Sequence, residues 1–147
     1  MAEGQRNVRK QMKRSKLRKQ SKVPFAKLQR AIWVYCKAII RKKYGNVCYT
    51  CDRGGLEGSN WHTGHFLPKG SCGALLRYDL RNLRPQCYNC NINLGGNGAE
   101  FMRKMVLREG AEYVETLFSI KAQKPTRAYE HYTLLLAQYQ LMLQDLG

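Results

Sequence analysis

Two Cys-x-x-Cys pairs constrain the fold of this chain more than any other feature. The first pair is Cys48 and Cys51, and the second is Cys87 and Cys90. Four thiolates in two tight turns suit a tetrahedral zinc ion without an open position, which indicates a structural rather than a catalytic metal. A redox dithiol or buried free cysteines are the alternatives. The long gap between the pairs leaves room for an inserted hairpin, as in a treble clef.

Helical periodicity dominates the sequence on both sides of the cysteine pairs. Apolar residues recur at three- and four-residue steps after Pro24 and again along the C-terminal third of the chain. The predicted elements are helices over about 24–44, 98–109 and 111–121, a last helix from Pro125, short strands at 61–67 and 82–86, and an extended or irregular segment at 74–78. The fold class is therefore α+β and mainly helical, with a small zinc-bound core between N- and C-terminal helices.

The charge balance points to a polyanionic partner. Lys and Arg number 26 against 10 Asp and Glu, which gives a net charge of +16. The excess is greatest in residues 1–23, which we expect to form a flexible basic arm that contacts DNA through Arg14, Lys16, Arg18 and Lys19. Nucleic acid is favoured over an anionic membrane because the remaining domain is basic too. Neither a membrane span nor a secretory signal is predicted, so we expect an intracellular protein.

The residues between the cysteine pairs have the composition of a metal-dependent hydrolytic site. His62 and His65 lie on the first predicted strand, and Asn91 directly follows Cys90 at the start of a predicted helix. Because four cysteines already fill the four coordination positions of the zinc ion, the histidines are available for a role outside the zinc site. A base on a strand and an oxygen ligand on a facing helix can hold one divalent ion against a scissile phosphate. Alternatively, the histidines are spare zinc ligands or surface residues, and Asn91 caps a helix.

A set of short motifs in this stretch carries a family resemblance. The motifs are WHTGHF at 61–66, Leu76-Arg77-Tyr78, Asn82-Leu83, Gln86-Cys87, Cys90-Asn91 and Leu94-x-Gly96-Asn97. In this order they resemble the HNH (ββα-metal) nucleases, and within them the phage lambda NinG (Rap) group of recombination endonucleases. The resemblance implies a zinc-stabilised nuclease domain over residues 24–122 that cuts DNA, with branched recombination intermediates such as Holliday junctions and flaps as its substrates.

The resemblance also implies roles for individual residues. His65 matches the general base, Asn82 the residue that braces the hairpin loop, and Asn91 a ligand of the catalytic ion, Mg²⁺ or Mn²⁺. His62 stands where the NinG pattern has Asp, and it is expected to be the second ligand of that ion. Asp79 and a backbone oxygen are the alternatives to His62.

Further basic residues lie around the predicted hairpin. Lys69, Arg77, Arg81 and Arg84 are expected to contact phosphates. The alternative for each of them is a solvated surface charge, but as a cluster beside a nuclease motif they favour DNA contact.

The C-terminal segment, residues 123–147, carries an apolar seam. Its members recur three and four residues apart and are Tyr132, Leu135, Tyr139, Met142 and Leu146. Such a seam either packs on the chain's own core or forms a homodimer interface. We prefer the homodimer because apolar residues cover more than one face of the helix.

The resemblance implies DNA and recombination proteins as partners and the cytoplasm of a cell that hosts a phage or prophage as the location. A non-catalytic zinc treble-clef protein that binds DNA or assists recombination is the main alternative, since it would share the zinc, the charge and the helices. A basic RNA-binding module is a further alternative.

Overall fold

The computed structural model describes residues 22–147. Most of the predicted basic arm, including Arg14, Lys16, Arg18 and Lys19, lies outside the described residues. The helices and strands in chain order are α1 (Phe25–Tyr44), β1 (His62–His65), α2 (Gly73–Leu76), β2 (Leu83–Gln86), a π-helical segment (Asn89–Asn93), α3 (Gly98–Glu109), α4 (Ala111–Lys121) and α5 (Ala128–Asp145). Short 3-10 helices at Gly58–Asn60 and Leu80–Asn82 precede β1 and β2. The mainly helical α+β class is confirmed. None of the helices in this part of the chain is long and apolar enough to cross a membrane.

Helix α1 agrees closely with its predicted span. It starts directly after Pro24, as the fixed φ of proline favours, and it ends at Gly45 with a φ of 69°. Its buried stripe consists of Leu28, Ile32, Cys36, Ile39 and Ile40. This stripe forms one side of the first apolar core, and α5 supplies the other side.

A second apolar core lies beneath the hairpin loop. Phe66 and Leu76 come from that loop, Phe101 and Met105 from α3, and Leu117 from α4. Leu83 of β2 belongs to the first core, and Phe66, which directly follows β1, belongs to the second, so residues of the hairpin and its loop contribute to both cores.

Strands β1 and β2 form an antiparallel hairpin. His62 lies opposite Gln86, and His65 lies opposite Leu83. The N–H of Phe66 continues the ladder by donating to the carbonyl of Asn82 over 2.8 Å. Both strands were predicted, and the structure confirms them with slightly shorter bounds.

The loop between the strands differs from its prediction. The segment 74–78 was expected to be extended or irregular, but α2 occupies its first part. Distant residues stabilise this short helix: the Tyr132 hydroxyl donates to the Ala74 carbonyl over 2.9 Å, and the Asn82 amide donates to the Leu76 carbonyl over 3.3 Å. Four residues show no helical periodicity of their own, so the sequence could not indicate α2.

The C-terminal seam packs inside the chain. Tyr132 and Tyr139 are buried against α1, and the Tyr139 hydroxyl donates to the Tyr78 carbonyl over 2.6 Å. Leu135 and Met142 pack on the same core. Four of the five seam residues are therefore covered within the chain, whereas Leu146 is 41% exposed, and the homodimer itself stays a prediction. Helix α5 also starts at Ala128 rather than at Pro125.

Candidate active site and metal centre

Four cysteine sulfurs converge beside the hairpin. The Sγ atoms of Cys48, Cys51, Cys87 and Cys90 all lie within 4.8 Å of one another. Those of Cys51 and Cys87 are 3.8 Å apart, and Zn–S bonds of about 2.3 Å in a tetrahedron separate sulfurs by about 3.8 Å. The predicted cysteine cluster is confirmed, and its donors and spacing suit a metal ion such as zinc.

Hydrogen bonds orient the sulfurs of this cluster. The backbone N–H of Cys90 donates to the Cys87 sulfur over 3.4 Å, and the Asn97 amide donates to the Cys90 sulfur over 3.5 Å. The Thr50 hydroxyl lies 3.3 Å from the Cys48 sulfur. Such donors favour the thiolate form and hold metal ligands in place. Asn97 has a left-handed φ of 52°, and its bond to sulfur was not predicted.

His65 ends β1 with its ring held from two sides. Its Nε2 lies 2.8 Å from the carbonyl oxygen of Arg77, and because a carbonyl only accepts, Nε2 carries the proton and Nδ1 keeps its lone pair. Trp33 of α1 stacks on the ring with 5.4 Å between centroids. Burial, aided by the charges of Lys69 and Arg77, lowers the pKa of His65. The ring is therefore neutral at neutral pH and can accept a proton.

His62 and Asn91 meet between β1 and the π-helical segment. The Asn91 amide nitrogen lies 3.1 Å from Nδ1 of His62, while Nε2 of His62 lies 2.9 Å from the Ser59 carbonyl. That carbonyl places the proton on Nε2, so Nδ1 accepts from Asn91. A half-turn of the Asn91 amide would point its oxygen into the same space, and one nitrogen and one oxygen would then face a cation.

A single cleft contains the candidate base and a candidate ion ligand. Its volume is about 330 Å³, and its lining includes His65, Asn91 and Lys69 together with Trp33 and Thr63. Glycines that follow the second cysteine pair form part of the wall, so the backbone there is open to a ligand. Residues that are far apart in the sequence thus share one opening.

Asn82 is a buried brace of the hairpin loop. Its Oδ1 accepts from the Leu67 N–H over 2.8 Å, and its amide donates to the carbonyls of Leu67 and Leu76 over 3.0 and 3.3 Å. These bonds hold α2, whose last turn presents the Arg77 carbonyl to His65. Both amide donors are used in the loop, so Asn82 positions the site and does not take part in proton transfer.

Gln86 links the hairpin to the cysteine cluster, and sequence reasoning missed it. Its buried amide donates to the Gly96 carbonyl over 2.9 Å and to the Thr50 hydroxyl over 3.2 Å, the same hydroxyl that contacts the cluster. Its Oε1 lies over Gly64, where an added Cβ would overlap it. Any larger residue directly before His65 would therefore force the Gln86 side chain to move. The place of Gln86 in the motif list, directly before the predicted metal ligand Cys87, was the available signal.

Comparison with known proteins places the chain in a family. The family model described as "Bacteriophage Lambda NinG protein" matches residues 1–147. The chain belongs to the NinG family. The resemblance to the NinG group is confirmed, and the cysteine cluster and the His65 cleft are features of a NinG family member.

The curated relatives of this NinG family chain come from bacteriophages. Protein ninG of Escherichia phage 933W is 30% identical over 110 residues, which cover 74% of this chain and 53% of the relative. Protein ninG of Escherichia phage lambda is 29% identical over 110 residues, covering 74% and 52%. The chain spans about half the length of the curated relatives it matches. No solved structure matches the chain.

The basic residues predicted around the hairpin have different environments in this NinG family member. Lys69 is exposed and lines the cleft. Arg77 is half-buried and offers its carbonyl to His65. Arg81 is exposed but forms an ion pair with Asp79 over 2.6 Å. Asp79 also caps the turn before β2 and lines a different cleft, against α5.

The predicted phosphate contact of Arg84 is wrong. Its side chain is fully buried, and its guanidinium donates to Glu109 over 2.9 Å and to the Tyr113 hydroxyl over 3.2 Å. It also stacks over the rings of Tyr44 and Tyr49. Arg84 therefore fastens β2 to α1, α3 and α4 and cannot reach DNA. The sequence did not show that both faces of β2, including the face that carries Arg84, are buried.

Proposed function

We propose that this NinG family member is a metal-dependent DNA endonuclease of the HNH (ββα-metal) type. Its substrates in this proposal are branched recombination intermediates, such as Holliday junctions and flaps. The observation that carries the proposal is the cleft shared by His65 and Asn91 beside a cysteine cluster. The cluster holds structural zinc in a treble-clef core, and Mg²⁺ or Mn²⁺ is the catalytic ion.

His65 is the general base. It accepts a proton from water at Nδ1, the nitrogen left free when Nε2 donates to the Arg77 carbonyl. Stacking on Trp33 holds the plane of the ring, so the base needs little reorientation when a phosphate enters the cleft. Burial keeps the ring neutral by lowering the pKa of His65, and only the neutral ring can accept the proton.

Asn91 and His62 are the residues that hold the catalytic ion. Nδ1 of His62 and the side-chain amide of Asn91 already lie within 3.1 Å, and Asn91 lines the His65 cleft. When bound, the ion polarises the phosphoryl oxygens and stabilises the leaving oxygen. Lys69, exposed at the cleft, binds a neighbouring phosphate.

The cysteine cluster supports this site without taking part in the chemistry. Its four sulfurs would fill a tetrahedral zinc ion, which leaves no position for water or substrate. Asn91 directly follows Cys90, and Cys87 directly follows β2. A zinc ion bound to the cluster would therefore fix Asn91, the proposed ligand of the catalytic ion, relative to β2. Strand β2 pairs with β1, which carries the base His65.

Asn91→Ala tests the ion-binding part of the proposal. We expect the Mn²⁺ concentration for half-maximal cleavage of a labelled four-way DNA to rise by about 10- to 100-fold, the usual cost of disturbing a metal site. Asn93→Ala is the matched control, because Asn93 is exposed on the same segment and bonds only to the Asn89 side chain, over 3.2 Å. An Asn91→Ala enzyme with the wild-type Mn²⁺ requirement would contradict the assignment.

The proposal includes a homodimer, because an enzyme that resolves a junction has to cut two strands. The seam of α5 is used inside the chain, so the interface is the outer face of α5, where Leu134 and Leu141 are 66% and 63% exposed. We expect glutamate at both positions to give a monomer in sedimentation velocity. Leu107→Glu is the control, at a leucine that is 70% exposed on α3. If the double variant still sediments as a dimer, or if the wild type is a monomer, the proposed interface on α5 is wrong.

A further inference from the structure

A stripe of basic residues runs along the solvent side of α1. We call Lys27, Arg30, Lys37 and Arg41 the basic face of α1, and all four are exposed. With about 3.6 residues per turn they fall within about 80° of the helix circumference. Helix α1 contains no Asp or Glu, so nothing on the helix itself offsets their charge.

The C-terminal half of the basic face borders the candidate active site. Trp33 of α1 stacks on His65 and lines its cleft. Lys37 lies one turn further along the same side of the helix. One turn beyond, the Arg41 guanidinium lies 4.5 Å from the ring centroid of Trp61, the residue before β1. Helix α1 therefore follows the hairpin edge with positive charge on its outer side.

The N-terminal half of the basic face leads to the same edge. Gln29, next to Arg30, shares a surface depression with Lys69 and Arg77. Lys69 also lines the His65 cleft. Lys69 therefore places one positive charge between the N-terminal end of α1 and the His65 cleft.

The charges of the basic face are not neutralised within residues 22–147. The ion pairs among these residues use other cations, namely Arg81, Arg84, Arg103, Lys104 and Arg108. From Lys27 to Arg41 the helix rises by about 21 Å, which matches about six base-pair steps of about 3.4 Å along a duplex. Val34 is the one apolar residue within this stripe, so a phosphate backbone suits it better than a protein with an apolar docking face.

We propose that the basic face of α1 docks the phosphate backbone of a duplex DNA segment that enters the His65 cleft. This inference rests on the proposed endonuclease function and adds the location of the duplex. Contacts to phosphates position a duplex without reading its bases, so binding at this face is independent of sequence. The Arg41 guanidinium lies over the Trp61 ring and forms no ion pair within residues 22–147, so its N–H groups can donate to phosphate oxygens.

Salt dependence of binding tests the docking face. The zinc-loaded chain is titrated into a short labelled DNA duplex and followed by fluorescence anisotropy at several salt concentrations. Each phosphate contact contributes about 0.9 to the slope of log affinity against log salt, so Arg30→Gln/Lys37→Gln/Arg41→Gln should lower the slope by about 2 to 3. The affinity near 0.1 M salt should fall by roughly tenfold or more.

A control variant removes the same charge elsewhere. Lys121→Gln/Lys124→Gln/Arg127→Gln lies at the connection between α4 and α5 and should keep the wild-type slope. Arg30→Gln/Lys37→Gln leaves the Trp61 stack intact and should still lower the slope by about 2. Equal losses in the α1 and control variants, an unchanged slope in the α1 variants, or tighter binding of duplex RNA than of duplex DNA would each overturn the proposal.

Cleavage separates this inference from the proposed function. The basic face does not touch the reacting atoms, so the triple α1 variant should keep the wild-type single-turnover rate at saturating DNA and need more DNA to reach it. If the slope falls as expected but the wild type cuts no DNA, the docking face is supported and the endonuclease proposal fails. If the wild type cuts DNA but the slope is unchanged, the docking face alone fails.

Discussion

Cys87→Ser is expected to unfold the domain rather than to slow an otherwise intact enzyme. Cys87 is buried, and its sulfur lies 3.8 Å from that of Cys51, so serine removes one ligand from a shared ion. Zinc binding in small zinc domains contributes about 10–16 kcal/mol to folding, as much as the about 5–15 kcal/mol of net stability of a whole domain. Thermal unfolding followed by circular dichroism, together with the zinc content, measures the effect.

Cys72→Ala is the matched control for the zinc prediction. Cys72 is also buried, at 1% exposure, but it belongs to the second core and not to the cysteine cluster. We expect this variant to keep its zinc and a cooperative transition, with a loss of about 1–2 kcal/mol from the cavity left behind. A Cys87→Ser chain that folds without zinc would show that the cluster is not what holds the domain together.

Replacing His65 with alanine is expected to lower DNA cleavage by about 10²- to 10⁴-fold, the usual contribution of a general base. Fold, zinc content and DNA affinity should persist, because the His65 ring makes one hydrogen bond and one stacking contact. His131→Ala is the control, since His131 lies on α5 in a different cleft. Single-turnover cleavage of a labelled four-way DNA gives the rates, and equal rates for His65→Ala and wild type would remove His65 from the mechanism.

The rate of DNA cleavage should depend on pH through the protonation of His65. Burial lowers its pKa below the ordinary value of 6.5, so the neutral base predominates at pH 7 and is lost as the pH falls through the folded pKa. The pKa of His65 is lower in the folded protein than in the unfolded chain, so the free energy of unfolding has its full value above the unfolded-state pKa. It decreases as the pH falls through the folded-state pKa, because the unfolded chain then binds the proton more readily. An acidic limb that persists unchanged in the residual activity of His65→Ala would assign the titration to another group.

Much of the fold was predictable because its signals are local. Apolar periodicity located α1, α3 and α4, and the Cys-x-x-Cys spacing located the metal cluster. Helix α2 was not predictable, because its stability comes from Tyr132 and Asn82, which are distant in the sequence. The sequence could not indicate that most of the α5 seam packs inside the chain, for a related reason: periodicity shows that a face is apolar but does not show which partner covers it.

The candidate site was predictable in its residues and not in its geometry. Motif order singled out His65, Asn91 and His62. In the structure His65 and Asn91 line one cleft, and His62 contacts Asn91 without lining that cleft. Only the fold shows that Arg84 turns inward to Glu109 and that Gln86 fills the space above the hairpin glycine. Side-chain direction on a short, doubly covered strand depends on tertiary packing, which sequence patterns do not encode.

Metal-dependent cleavage by the wild-type chain tests the central claim most directly. Zinc-loaded protein is mixed with labelled four-way, flap, nicked and linear DNAs, with Mg²⁺ or Mn²⁺ either present or left out, so that the zinc is never chelated. The endonuclease account predicts strand cleavage only when Mg²⁺ or Mn²⁺ is present, with branched DNAs cut faster than linear ones. A folded, zinc-loaded chain that binds these DNAs and cuts none of them with either ion would contradict it.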